Sequence, residues 1–473
     1  MLFNSFGFLI FFVVVTVLYY VTSAAWRWLL LLLASCYFYM AFIPAYILVL
    51  LTVVTIDYIA GLSIEISTGR KRKIFLLASI TANLGVLFIF KYFNFFVENI
   101  NDLLLLLDIH AKSFPFWQIA LPIGLSFHTF QAMSYTIEVY KGKQSAERHF
   151  GIYALYVMFY PQLVAGPIER PQQLLHQFHE SKPVSYEGIA TGLKSMLLGF
   201  FMKVVVADRL AIYVDYVFAH PAIHSRLAVI IAAVFCSFQI YCDFAGYSLI
   251  AIGAAKVMGF NLSVNFRQPF LATSMTDYWK RWHITLSSWF RDYIYIPIGG
   301  NRVTYLRHIF NILFVFILSG LWHGASWTFI TWGFLHGLYL VAEKIFGKKA
   351  RATYTLPRRI ASSAYIIILV SFSRIFYRSQ SVQEAFNTIK RLFQPSTPWF
   401  LATEFQERAL LVYSFTGFGL VMLADIQKEF YNRSPFFLDS GKTIVRMGAC
   451  IGLVILILIL GVFDGGQFVY FQF

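Results

Sequence analysis

Charge is what this sequence has least of. Only 13% of its 473 residues are Asp, Glu, Lys or Arg, against about 25% in a soluble globular chain. That is too little to clothe a surface of this size in water, so a soluble protein with buried helices is excluded. Cysteine is scarce too. The four present (Cys36, Cys236, Cys242 and Cys450) are scattered through mostly apolar sequence without the paired partners of a zinc site. Buried free thiols are therefore expected. No linker rich in Pro, Gly or Ser, no low-complexity tract and no fixed-period repeat divides the chain, so a single domain over 1–473 is expected.

Several catalytic signatures are missing as well. Without a Gly-x-Ser-x-Gly elbow there is no serine-hydrolase type of acyl-enzyme. Ser440-Gly441-Lys442-Thr443 mimics the end of a P-loop, but the place of its first glycine holds Phe436, which removes nucleotide hydrolysis. No histidine is followed five residues on by an aspartate, so the His-x4-Asp motif of soluble glycerolipid acyltransferases is absent. There is no His-Glu-x-x-His and no metal-ligand cluster among the eleven histidines. The N-terminus lacks the basic start and small-residue cleavage site of a signal peptide, and is expected to be a retained first span.

What is there is apolar: 59% of the chain is hydrophobic and 19% aromatic. The runs Phe8–Tyr20, Tyr46–Ile56, Ile74–Phe90, Tyr365–Phe372 and Met447–Phe463 are apolar or nearly so, and a span needs about 20 such residues. Hydropathy gives about 11 spans in one all-helical membrane domain. The net charge of +15 gathers between these runs, at Arg70–Lys73, Lys141–Arg148, and Lys344, Lys348, Lys349, Arg351, Arg358 and Arg359. That is the pattern of cytoplasmic loops. With Arg27 after the first span and Arg70–Lys73 after the third, the N-terminus is expected outside. No basic-aromatic stripe or zinc-finger spacing points to nucleic acid. Two stretches break the alternation of spans. Pro161–Ser181 is too polar and Pro-rich, and Phe260–Arg307 holds six Lys or Arg and two Asp among aromatics. Such sequence reads as interfacial or re-entrant, and irregular backbone at membrane depth needs protein or a water-filled cavity around it.

Ionisable residues inside apolar sequence are functional candidates, and three stretches concentrate them. In Gly320-Leu321-Trp322-His323-Gly324-Ala325-Ser326-Trp327 the glycines bracket the histidine and permit a helix break and close backbone approach. A desolvated His323 stays neutral near pH 7, which suits a general base acting on a hydroxyl. The alternative is a core histidine donating to a backbone carbonyl. The second stretch runs from Asp277 to Asp292. On a continuous helix Trp282, Leu286 and Trp289 share one face, and Trp279 shares another with His283. Lys280, Arg281 and Arg291 fit either the phosphates of an acyl carrier or anionic lipid head groups, and periodicity favours lipid. The third holds Asp243 in an apolar run, fit to orient a base or to pair with an arginine.

Together these residues resemble the membrane-bound O-acyltransferase family, in its bacterial alginate O-acetyltransferase-like branch. The matching elements are Pro161–Arg170, Tyr241–Ser248, Asn265–Phe270, the block Trp279–Arg302 and Gly320–Gly324, in family order within residues 120–340. The closing Phe468–Phe473 resembles the end of the same branch. The resemblance implies a helical bundle with a central tunnel, an acyl donor entering from the cytosol and a hydroxyl acceptor meeting it. It makes His323 the signature catalytic histidine and His283 the second catalytic position. It leaves Trp322, Trp282, Trp279, Lys280, Arg281, Asp243, Asp277 and Arg291 as substrate-binding candidates.

The implied activity is O-acyl transfer, of acetyl in this branch, from a thioester such as acetyl-CoA, with no bound cofactor and no metal. The acceptor is an exported polysaccharide or peptidoglycan, reached through an extracytoplasmic SGNH-hydrolase-like partner at the bacterial inner membrane. D-alanyl transfer from a carrier protein toward teichoic acid is the alternative within the class. A polysaccharide or lipid transporter is the alternative outside it. The depth of His323 stays open. Counting spans from the basic loop at Lys344–Arg359 puts it near the outer face, while the resemblance puts it deep in a tunnel.

Overall fold

In hydrocarbon every backbone N–H and C=O must be satisfied within its own segment or by a neighbour, so an apolar chain of this kind folds as helices. The structure, a computed structural model, describes residues 1–109, 113–347, 355–400 and 405–463, with side chains left aside at 405–407. Every regular element among them is helical. The closing Phe468–Phe473, and Lys348, Lys349 and Arg351, lie outside the described residues.

Seven helices among the described residues are long and apolar enough to cross a membrane: Tyr46–Ile66, Gly69–Leu106, Arg226–Val257, Tyr305–His323, Leu356–Arg378, Arg408–Tyr431 and Thr443–Leu460. Two shorter apolar helices, Phe6–Val21 and Ala24–Met40, precede them. The five apolar runs lie in or overlap these helices. Arg70–Lys73 sits in the first turns of Gly69–Leu106 rather than in a loop, and Lys141–Arg148 lies largely in the connection before Phe150–Met158.

The described chain forms two compact units. The first comprises Met1–Leu193 and Ala251–Ser263. Part of its polar interior is satisfied internally. The Asp57 carboxylate accepts from Ser79 Oγ at 2.5 Å and from Asn83 Nδ2 at 2.9 and 2.8 Å. The polar stretch Pro161–Ser181 contains short helical turns, Pro171–Leu174 and Leu175–His179. It is tied down by Glu169, which accepts from Ser263 N at 2.5 Å and Ser263 Oγ at 2.8 Å.

The second unit comprises Lys194–Ile250 and Val264–Phe473. The expected irregular region is broken in it. The longer regular pieces between Phe260 and Thr304 are Met275–Arg281 and Ile284–Phe290, the latter running into a π-turn over Arg291–Tyr295. Beside them stands a hairpin of Tyr305–His323 and Trp327–Phe346. Its two helices meet through glycine. A Cβ on Gly333 would run into the Phe316 carbonyl, and one on Gly320 into the Phe329 carbonyl. Close backbone approach through small residues is how helices associate when lipid removes the hydrophobic drive between them. The hairpin therefore holds His323 at the end of its first helix by steric fit. Gly333→Ala is expected to destabilise the protein by about 1–3 kcal/mol through overpacking. Gly419→Ala, in helix Phe405–Tyr431 with open space around it, is expected to leave the unfolding temperature in detergent unchanged or higher.

Candidate active site

The site begins with a helix that fails to continue. Met275–Arg281 starts on Ser274, whose side chain accepts from Asp277 N at 3.0 Å. Glu343 reaches across to the first turn, accepting from Met275 N at 2.6 Å and Thr276 N at 3.3 Å. The helix stops at Trp282, and His283 takes a left-handed conformation (φ 43°, ψ 55°). Such a conformation costs a non-glycine residue about 1–3 kcal/mol and persists only where the surroundings over-determine it.

Here they do. Arg267 N donates to Arg281 O at 2.9 Å and Ile284 N donates to Asn265 O at 2.9 Å. The Asn265 side-chain oxygen accepts from Thr285 N at 3.3 Å and Thr285 Oγ1 at 3.0 Å, and lies 3.1 Å from His283 Nδ1. Asp277–Asp292 is thus divided between two short helices with His283 at the break. The faces that paired Trp279 with His283, and Trp282 with Leu286 and Trp289, do not persist across the break. The cause is non-local: the Asn265–Phe270 motif supplies hydrogen bonds that a continuing helix would have made within itself.

The hydrogen bonds also set the histidine tautomers. Because backbone Thr285 N–H fixes the facing Asn265 atom as an oxygen, His283 Nδ1 carries the proton and Nε2 the lone pair. His283 is fully buried (0% exposed). Burial, and after it the neighbouring His323, hold its imidazole well below the usual histidine range, so it is neutral. His323, 2% exposed, donates Nδ1–H to the Ser319 carbonyl at 2.6 Å. That is the bond of a core histidine, and the same bond leaves its Nε2 with a lone pair. A third buried histidine, His336, lies with Nε2 2.9 Å from Ser373 Oγ. The serine proton goes to Val370 O at 2.7 Å, so His336 donates through Nε2 and keeps its lone pair on Nδ1.

Aromatic rings join the three. Trp322 lies edge-on to both His283 and His323, at 6.1 and 5.0 Å between centroids. Trp332 packs on His323 at 4.8 Å and on His336 at 4.9 Å. Trp279 meets His336 at 5.2 Å, and Phe244 meets His283 at 4.5 Å. Trp282 stacks on Tyr278 at 5.5 Å and carries the Arg374 guanidinium 5.3 Å over its ring. Of the sequence-derived residues, His323, His283, Trp322, Trp279 and Trp282 are thus brought into one cluster. Trp332, His336 and Arg374 belong to it and escaped the sequence reading. Trp332 and His336 share a helix face at a spacing of four, and Arg374 is a cation closing an apolar run.

The charged candidates stand elsewhere. Asp243 is held by a lysine. It lies 2.7 Å from Lys203 Nζ, which also meets Asp208 at 2.8 Å. The charge of a buried aspartate needs the nearest cation, and that is a lysine forty positions upstream. Arg291 is exposed and pairs with the adjacent Asp292 at 2.8 Å. Asp277, Lys280 and Arg281 line a cavity of about 940 Å³ with Glu343, Arg359 and Glu429. Arg281 is bound by Asp277 at 2.9 Å and by Glu429 at 2.9 Å, and Glu429 also takes Arg359 at 2.6 Å. Burial works against the Arg281 charge, yet the bonds and charges of Glu429 and Asp277 raise its pKa. Lys280 is exposed and has no carboxylate partner among the described residues. Neither His283 nor His323 lines this cavity, but Tyr339 does, and Tyr339 meets His336 at 5.5 Å. Asn265→Leu is expected to strip three donors of their acceptor at about 1–3 kcal/mol for each buried group left unsatisfied. Asn265→Asp, which keeps an acceptor oxygen, is expected to retain most stability in thermal unfolding followed by tryptophan fluorescence.

Comparison with known proteins bears on this cluster. Residues 18–379 match the model of MBOAT, the membrane-bound O-acyltransferase family. The chain is 36% identical over 418 residues to the probable alginate O-acetylase AlgI of Pseudomonas aeruginosa, covering 87% of this chain and 77% of that protein. It is 32% identical over 387 residues to the peptidoglycan O-acetyltransferase of Helicobacter pylori, covering 76% and 72%. To the teichoic acid D-alanyltransferase of Bacillus subtilis it is 27% identical over 262 residues, 52% of this chain and 65% of that one. With a matched span that includes all three histidines and Arg374, this chain belongs to the membrane-bound O-acyltransferase family and is an acyltransferase.

Proposed function

We propose that this acyltransferase moves an acetyl group from a cytosolic thioester such as acetyl-CoA toward hydroxyls of an exported polysaccharide or peptidoglycan, with His323 as the general base. The observation that carries the reading is the buried His323. Its Nδ1–H is committed to Ser319 O, and Trp322 and Trp332 pack on its ring. The Nε2 lone pair takes the proton of the acceptor hydroxyl. The hydroxyl oxygen attacks the thioester carbonyl carbon, and the carbonyl π pair moves onto oxygen. Collapse breaks the C–S bond, and the proton held by His323 passes to the leaving sulfur, giving ester and thiol. A general base in this position contributes about 10²–10⁴-fold in rate. Burial in an aromatic shell excludes the water that would otherwise hydrolyse the thioester. His283, presenting its own Nε2 beside Trp322, serves as the second catalytic group.

The cavity beside Lys280 is the donor entrance in this reading. Lys280 is free to meet a phosphate, whereas Arg281 and Arg359 already share Glu429. Tyr339 joins cavity wall and histidine cluster, so an acyl arm threading past it arrives at Trp332 and His323. With the basic Lys344–Arg359 segment cytosolic and the N-terminus outside, as the positive-inside pattern favours, helix Trp327–Phe346 runs outward from Lys344. Trp332 is then about 18 Å along that helix at 1.5 Å per residue, past the middle of a core about 30 Å thick. His323, touching Trp332, delivers acetyl toward the outer side of an inner membrane, where an extracytoplasmic SGNH-hydrolase-like partner completes the modification. The acetyl reading is favoured over D-alanyl transfer because the acetylating relatives are more similar over more of the chain.

Vesicles carrying the purified protein and supplied with radiolabelled acetyl-CoA test the reading. The wild type is expected to form labelled ester, and His323→Ala to lose at least about 10²-fold in rate. A transporter without acyl transfer would move polymer, form no ester and be indifferent to His323→Ala. Lys280→Gln is expected to raise the KM for acetyl-CoA several-fold while leaving kcat, and to leave KM unchanged for a short acetyl thioester without phosphates. An equal effect on both donors would remove Lys280 from phosphate binding.

A further inference from the structure

The cluster holds a cation that the steps above do not use. Arg374 is 1% exposed and lies within helix Leu356–Arg378. Its guanidinium sits over three rings, 5.3 Å from the Trp282 centroid, 5.5 Å from Trp332 and 4.9 Å from Tyr377. Cation–π contacts offset part of the cost of burying a charge, but they satisfy none of its N–H donors. The Tyr278 hydroxyl lies within reach of the guanidinium, but among the described residues no acceptor meets its Nε or Nη2 with hydrogen-bond geometry, and no carboxylate pairs with it. The Trp332 indole N–H is likewise buried without an acceptor among the described residues. By contrast Lys203, the other deeply buried cation of this unit, is matched by two aspartates.

Unsatisfied buried donors are rare because each forfeits its hydration. Three of them on two side chains in mutual contact leave capacity for one more acceptor atom beside Tyr278. The place is next to the base. Trp332 packs on His323 with one ring system and carries the Arg374 guanidinium over the same rings. His336 lies within electrostatic reach of both Arg374 and His323.

We propose that Arg374, with the Trp332 indole N–H, is the oxyanion-binding group of the transfer. This rests on the reading of His323 as base in acyl transfer from a thioester. When the hydroxyl oxygen bonds to the carbonyl carbon, the π pair becomes a full negative charge on the former carbonyl oxygen. Arg374 and Trp332 donate to that oxygen, and the charge returns to carbon as the C–S bond breaks and the thiolate leaves to take the proton from His323. A guanidinium is always charged and presents several donors in a fixed plane. Held in a low-dielectric shell before the charge appears, it requires no reorganisation at the moment of reaction. It is a catalytic residue in that it touches the reacting atom.

The test uses the full-length protein in lipid nanodiscs, radiolabelled acetyl-CoA as donor and alginate oligosaccharide as acceptor, with released thiol measured in parallel. R374M is expected to lower kcat about 10²–10³-fold, the usual effect of removing an oxyanion donor, with the donor KM changed less than about threefold. R374K is expected to fall between R374M and wild type. Added guanidinium is expected to restore part of the rate to R374A. The unfolding temperature of R374M is expected to match or exceed the wild type, since an unpaired buried charge is removed. A raised donor KM with kcat unchanged would make Arg374 a ground-state binder and overturn the proposal. So would an unfolding temperature lowered in every variant with kcat per folded molecule intact, or failure of both R374M and R374K to fold, each of which is a structural role. If the wild type itself forms no ester and releases no thiol, the acyl-transfer reading fails first. If the wild type works and R374M works equally well, only the assignment of Arg374 falls.

Discussion

One oxygen atom carries much of this site. Asn265 Oδ1 receives Thr285 N–H and the Thr285 hydroxyl, and faces His283 Nδ1. Through it a segment eighteen residues away breaks what periodicity would have made a single helix, turns His283 into the left-handed region and fixes its proton on Nδ1. A low-dielectric interior enforces this kind of arrangement, because an unpaired polar group there costs far more than in water. The same pressure draws Glu343 onto the first turn of Met275–Arg281 and Lys203 between Asp208 and Asp243. Each partner comes from a different part of the chain. The satisfied polar groups act as struts, and among the groups left unsatisfied those on Arg374 and Trp332 stand beside the base.

Chemistry follows from how the three histidines are tied. His283 and His323 both spend Nδ1–H on a fixed acceptor and present Nε2, while His336 is tied the other way, through Nε2 to Ser373. A neutral imidazole with its lone pair aimed by a hydrogen bond on the far nitrogen is a base whose orientation is settled before substrate arrives. Trp322 and Trp332 supply the dry shell that strengthens the electrostatics inside it. The glycine-mediated hairpin of Tyr305–His323 and Trp327–Phe346 brings His323 and Trp332 to the same level. Packing and catalysis therefore depend on one steric fit.

Much of this was legible in the amino-acid order. Composition excluded a soluble fold, and the five apolar runs lie in or overlap helices because local hydrophobicity decides that alone. The charged aromatic stretch after Phe260 is broken as its lack of a clean apolar window required. His323 stood out through its bracketing glycines, and these close the hairpin. The left-handed turn at His283 was not legible, since its cause is Asn265 and periodicity sees only neighbours. The Lys203 partner of Asp243 was not legible for the same reason: it is distant in sequence and joined only by the fold. Arg374 could have been found. It lies two residues beyond the apolar run that ends at Phe372, and a cation at the margin of a span marks function. His336 and Trp332 share one helix face, a spacing that reads equally well as ordinary core.

The central claim is that the acyl carbonyl reacts between the His323 Nε2 lone pair and the Trp332–Arg374 donors. A structure of the protein with a non-hydrolysable acetyl thioester analogue tests it most directly. The account predicts the acetyl carbonyl carbon within one hydroxyl group's reach of His323 Nε2, with reacting atoms about 3–3.5 Å apart. It predicts the analogue's carbonyl oxygen on the Arg374 side of Trp332. An acetyl end lodged away from Trp332, with His323 and Arg374 undisturbed and the analogue still competitive with donor, would contradict it.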